Sequence, residues 1–98
     1  MKNFRSYQLA VKFYRSVSEI TLPSYLKDQL DRASSSIVLN LAEGSGRFTR
    51  KDQKRFYHIA FASLRECQAI LDIKGSNNIE AVEIADKLAA NIYCLIKS

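Results

Sequence analysis

Chain breakers are scarce in this sequence: one proline, Pro23, and three glycines, Gly44, Gly46 and Gly75, in 98 residues. So few turn-formers argue against a fold of many short strands and for a few long helices. Sustained apolar/polar alternation, the mark of half-buried strands, is also missing. Cysteine is sparse. Cys67 and Cys94 make neither a disulfide framework nor a four-ligand metal set, and each sits in an apolar run, so both read as buried thiols in a reducing compartment. No stretch approaches the ~20 apolar residues of a membrane span. Nor does the start, Met1-Lys2-Asn3-Phe4-Arg5, lead into the apolar run of a signal peptide. The expectation is a cytoplasmic protein. His58 is the single histidine, no Glu-x-x-His pair occurs, and Asp28, Asp31, Glu66 and Asp72 are scattered. Metal, di-iron and acid–base chemistry therefore have no visible constellation. Gly44-Ser45-Gly46 lacks the continuation of a phosphate-binding loop.

What the chain does hold is 47% hydrophobic residues in helical register and a net charge of +5, from 15 basic and 10 acidic residues. The length fits one domain, residues 1–98, whose own core gives a modest stability margin and invites self-association. The apolar spacing predicts a first helix over Phe4–Ile20. One stripe on it comprises Tyr7, Ala10, Val11, Tyr14 and Val17; a second, Leu9, Phe13 and Ile20, is free to meet another subunit. Pro23 breaks the chain and can begin the next helix. The second helix is expected over Ser24–Glu43, with Leu26, Leu30, Ala33, Ile37 and Leu41 inward and Gly44 as a left-handed cap. Thr49, with Asp52 three residues on, resembles a capping box opening a third helix. Its core stripe reads Phe56, Ile59, Ala60, Ser63, Cys67, Ile70 and Leu71, and Gly75 ends it. Asn77 as cap with Glu80 as its partner opens a fourth, which faces Ala81, Ile84, Ala85, Leu88, Ala89, Ile92, Leu95 and Ile96 inward. Four amphipathic helices with short connections predict an all-α, antiparallel up-down-up-down four-helix bundle.

Two constellations stand out. Ser36, Asn40 and Glu43 lie at i, i+4 and i+7 and form a polar stripe beside the apolar one. Such a stripe either satisfies polar groups across the bundle or contacts a ligand. Arg47, Arg50, Lys51, Lys54 and Arg55 place five cations in nine residues with Asp52 the one acid among them. They make either a solvated turn or a phosphate-binding surface, to which Phe48 and Tyr57 could add base stacking. Cations at a helix N-terminus oppose the macrodipole, so helix stability does not account for them. Ala60, Ser63 and Cys67 at i, i+3 and i+7 read as small residues that let two helices approach. Ser63 has no base spaced to activate it. A helical ribonuclease with Arg four to six residues before His is disfavoured, since Arg50 and Arg55 miss that spacing to His58.

The run Gln29-Leu30-Asp31-Arg32-Ala33-Ser34-Ser35-Ser36-Ile37 through Asn40-Leu41-Ala42-Glu43-Gly44-Ser45-Gly46-Arg47, continued by Phe56, Ile59-Ala60, Ser63-Leu64 and Glu66, resembles the signature of the four-helix-bundle proteins encoded in 23S ribosomal RNA intervening sequences. Ala62 stands where that pattern often has glycine. The resemblance implies four antiparallel helices assembled as a ring-shaped homopentamer. It also implies kinship with the accessory variability protein of diversity-generating retroelements, a basic pentamer that works with a reverse transcriptase and nucleic acid. No enzymatic activity and no cofactor are implied. Five copies would multiply the net charge fivefold, a field that concentrates polyanions at low salt.

Two functional expectations follow. The first is a non-enzymatic, homo-oligomeric scaffold that binds RNA or DNA through phosphates at the basic cluster, without base-edge readout. The alternative is a protein-interaction module serving a polymerase or reverse transcriptase, with no nucleic-acid contact of its own.

Overall fold

A computed structural model describes residues 4–75 and 78–98. Among these residues four helices run along a rod of 40 × 22 × 21 Å: α1 (Arg5–Ser18), α2 (Ser24–Ser45), α3 (Arg50–Lys74) and α4 (Ile79–Lys97). Each packs against two others, α1 and α3 both touching α2 and α4, and the α2–α3 interface is the most extensive.

Local chemistry sets the boundaries. Pro23 has a φ of −54° and its carbonyl accepts from the Leu26 and Lys27 amides, which starts α2. The Thr49 hydroxyl accepts from the Asp52 amide at 3.1 Å and caps α3. Gly75, at φ +69°, closes α3 in the left-handed conformation that glycine adopts without strain. The cap of α4 is Asn78, whose side-chain oxygen accepts from the Ala81 amide at 3.0 Å. Asn77, expected in that role, lies outside the described residues.

Gly44 is not a left-handed cap. The helix runs through it to Ser45, and Gly75 is the positive-φ glycine among the described residues. Gly44 is buried instead where α2 meets α3. A Cβ there would stand 2.6 Å from Tyr57 Cε1 and 3.1 Å from Phe56 Cβ. Its missing side chain lets the two helices close on an aromatic ring.

The core is built on Phe13, Leu30, Ile37, Leu41, Leu64, Leu88 and Ile92, all fully buried. The expected inward stripes of α2 and of α4 as far as Leu88 and Ile92 are inside, with Ala89, Leu95 and Ile96 half-buried. Two helices differ from expectation. In α1 the inward face is Ser6, Ala10, Phe13 and Val17, followed by Ile20 beyond the helix end. Phe13 and Ile20 therefore fill this chain's own core rather than an outer stripe with the half-buried Leu9, while Tyr7 is half-buried and Tyr14 exposed. A tyrosine counts as apolar in a periodicity but keeps its hydroxyl near water. In α3 the inward set is Tyr57, Ala60, Leu64, Cys67, Ile70 and Leu71, while Phe56 is half-buried and Ile59 exposed. A shift of one residue turns the face by about 100°. Cys94, expected to be buried, is exposed.

Candidate nucleic-acid interface

The start of α1, the end of α2, the start of α3 and the end of α4 meet around the basic cluster. Phe4 packs its ring 6.2 Å from that of Tyr57, Gly44 abuts Tyr57, and Arg50 reaches Leu95 and Ser98. The five cations there fall into three kinds.

Arg50 is a structural clamp. Its guanidinium donates to the carbonyls of Leu95 and Ser98, to the Ser98 hydroxyl at 2.6 Å, and to Gln53 Oε1 at 3.3 Å. The last carbonyls of α4 have no intrahelical partner and carry partial negative charge, so a guanidinium across from them is favourable.

Arg47 and Arg55 both lie against Phe56, their Cζ atoms 4.6 and 4.5 Å from its ring centre. A guanidinium packed on a ring is held in place while its in-plane N–H donors stay directed outward. Arg47 also donates to Glu43 Oε2 at 2.6 Å, yet its Nε is buried without a partner.

Lys51 and Lys54 form the third kind. Among the described residues neither has an ion pair or hydrogen bond, Lys51 being exposed and Lys54 partly so. The acids close to the cluster are Glu43 and Asp52, fewer than the cations they face.

The aromatic residues divide as sharply. Tyr57 is 4% exposed and cannot stack on a ligand. Burial pushes its phenol above the usual range, the nearby Arg50 charge opposing in part. Phe56 is occupied by its two arginines. Phe48, in the α2–α3 turn, is wholly exposed.

The polar stripe is only partly a unit. Asn40 Nδ2 donates to the Ser36 carbonyl at 2.9 Å and to the Ser36 hydroxyl at 3.0 Å, and that hydroxyl meets the Ser63 hydroxyl at 2.9 Å. Ser36 thus joins α2 to α3, with Asn40 donating to its hydroxyl from within α2, and Ser63 is a packing residue with its hydrogen bond satisfied. Glu43 belongs to the basic end through Arg47.

Open apolar surface is present not at Phe13 or Ile20 but, among other places, in a shallow groove between α1 and α2 lined by Val11, Tyr14, Ser35, Val38 and Leu39. Leu39 is 66% exposed. Its position off the core stripe of α2, taken with Tyr14, was the available sign in the sequence.

His58 is exposed and, among the described residues, no group of three or more His, Cys, Asp or Glu is placed to hold a metal ion. Desolvation, with the Glu66 charge adding to it, pushes the buried Cys67 thiol up to about 12, so it stays protonated and unreactive at neutral pH. No described helix is long and apolar enough to cross a membrane.

No curated protein and no solved structure matches the chain. The family model of the 23S rRNA-intervening sequence protein matches residues 2–98, essentially the whole length, and the chain belongs to that family.

Proposed function

We propose that the chain is a non-enzymatic scaffold that assembles as a homopentamer of up-down-up-down bundles and binds nucleic acid through phosphates at its basic end. The observation that carries the reading is the meeting of Arg47, Arg50, Lys51, Lys54 and Arg55 with Glu43 and Asp52 the acids beside them. Two of these lysines are uncommitted, and two arginines are held on Phe56 with donors to spare. Phosphate contact of this kind is salt-sensitive and weakly selective for sequence. The alternating direction of the helices is supported by Arg50 at the start of α3 reaching Ser98 at the end of α4. It is supported also by Lys27 at the start of α2 donating to the Ser18 carbonyl at the end of α1. Self-association is supported by the apolar groove of Val11, Tyr14, Val38 and Leu39, and the subunit number five by the resemblance to the family.

Filter binding of a labelled RNA at two ionic strengths tests the reading. Affinity should fall steeply as salt rises. The double reversal Lys51→Glu/Lys54→Glu should lower low-salt affinity by roughly a hundredfold and flatten the salt dependence by about two phosphate contacts. Reversing Lys27 and Lys74, outside the cluster, should change affinity far less. Light scattering should give a mass of about five times the 11.2 kDa chain. Absence of RNA binding at low salt would remove the nucleic-acid reading, and a monomer at high concentration would remove the assembly.

A further inference from the structure

Phe48 lies in the α2–α3 turn with a relative exposure of 103%, so the ring buries nothing against its own chain. Burying a phenylalanine is ordinarily worth about 1.5–3 kcal/mol, and this position forgoes that gain. Its neighbours are cations: Arg47 before it, Arg50 and Lys51 after it. Resting on the phosphate-binding reading of the same cluster, we propose that Phe48 is a stacking platform for an unpaired nucleobase, and that the preferred ligand is single-stranded nucleic acid rather than duplex.

One observation and two general properties of nucleic acids converge on that occupant. Of Phe48, Phe56 and Tyr57, the rings within and beside the run of cations, Phe48 has its faces open, Phe56 being covered by Arg47 and Arg55 and Tyr57 being buried. A base stacks on an exposed ring irrespective of its identity, while its flanking phosphates meet the charges on either side. Duplex bases, by contrast, have their faces already stacked, and prying a step open costs a few kcal/mol.

Gln53, in the first turn of α3, is also committed. The Gln53 amide donates to the Arg47 carbonyl at 3.2 Å and accepts from Arg50 at 3.3 Å. That leaves stacking plus phosphate contact, a mode without base readout. An anionic lipid surface is the weaker fit, because membrane affinity scales with apolar area and the adjoining residues Gly46, Arg47, Thr49 and Arg50 add little of it.

Fluorescence anisotropy at low salt, with the full chain and its Phe48→Ala and Phe48→Trp variants, decides the matter. The probes are a labelled oligouridylate, a blunt RNA duplex of the same length, and phosphatidylserine-containing vesicles. Phe48→Ala should lower affinity for the oligouridylate roughly tenfold and for the duplex less than about twofold. The salt slope should stay unchanged, because no phosphate contact is removed. Phe48→Trp should restore binding. Since the chain has no other tryptophan, its emission should be quenched on saturation with the oligouridylate. Equal losses on both RNAs, or no loss together with unquenched emission, would overturn the stacking role while leaving phosphate binding in place. So would vesicle binding that follows Phe48 when oligouridylate binding does not. If the unsubstituted chain bound neither RNA, the phosphate-binding reading would fall and this one with it.

Discussion

The two ends of the rod handle charge differently. At the end of the rod that holds the α2–α3 turn stand Arg47, Arg50, Lys51, Lys54 and Arg55, with Arg5 at the start of α1 and Lys97 at the end of α4, and with Glu43 and Asp52 as the acids. Through the rest of the described chain the other eight acids are interspersed with seven cations. The Lys27–Asp31 pair at 2.7 Å, with Lys27 also donating to the Ser18 carbonyl at 3.0 Å, shows how that region settles its charges locally. Neutralising a surface internally is the ordinary outcome for a small domain. A net cationic tip is mildly self-repulsive, a cost that the proposed anionic ligand would relieve. Each end carries a side-chain helix cap, Thr49 or Asn78, and a glycine, Gly44 or Gly75, held for different reasons, which allows the comparison to be broken by matched substitutions.

The largest effect is expected at the glycines. Gly44→Ala puts a methyl 2.6 Å from the ring edge of Tyr57, which is itself buried and held against Phe4. Overpacking of this kind costs about 1–3 kcal/mol, offset in part by the better helix propensity of alanine. Gly75→Ala meets nothing within 4 Å, and its cost is conformational, about 1 kcal/mol for an alanine at φ +69°. Asparagine separates the two causes: Gly75→Asn should be nearly silent, because asparagine tolerates that conformation, whereas Gly44→Asn should be worse than alanine. Urea melts at one protein concentration read all four. Tolerance of asparagine at Gly44 would show that α2 and α3 do not close there. The Gly44 substitutions should also weaken RNA binding, since they displace the start of α3, and the Gly75 substitutions should not.

Much of this was legible in the sequence where a local rule operates. The Thr49 cap, the Gly75 terminator, the Pro23 start and the core stripes of α2 and α4 each rest on chemistry within a few residues. Legibility failed where a face had to be chosen. The tyrosines of α1 satisfy an apolar count without belonging inside. In α3 the neighbours Phe56 and Tyr57 are both aromatic, so residue type could not tell which faced the core. Gly44 in a Gly-Ser-Gly run looks like a cap, because a close approach to α3 leaves no local mark. The candidate site was legible as a list of cations and no further. Long flexible side chains find partners by position in space, as Arg50 does in reaching Ser98 across 48 positions.

A smaller effect sharpens the comparison through the caps. Thr49 Oγ1 holds the Asp52 amide at the start of α3, and Asn78 Oδ1 holds the Ala81 amide at the start of α4. Either residue changed to alanine should cost about 1 kcal/mol, a fall in Tm of roughly 4–8 °C for a domain of this size. The consequences for binding should part. Thr49→Ala frays the segment that carries Arg50, Lys51 and Lys54 and should weaken RNA binding several-fold, whereas Asn78→Ala frays the connection on the far side. Equal binding by two equally destabilised variants would mean that order at the start of α3 is irrelevant to the ligand.

The smallest expected change runs in the opposite direction, toward tighter binding. Glu43 pairs with Arg47 at 2.6 Å, both side chains being more than a third exposed, so the pair itself is worth about 0–1 kcal/mol to the fold. Its larger influence is on the tip, where it cancels one of the charges a phosphate would meet. Glu43→Gln should leave Tm nearly unchanged and raise low-salt RNA affinity by about two- to threefold, an advantage that fades as salt screens the cluster. Asp31→Asn removes an equivalent charge from the Lys27 pair, on α2 but away from the turn, and should change affinity less. Were the two substitutions equivalent, net charge alone would govern binding and the location of the cations would be immaterial. A loss of affinity in Glu43→Gln would instead mean that the carboxylate serves to aim Arg47 at the ligand. The ion pair would then be part of the site, and the guanidinium resting on Phe56 would depend on it for direction.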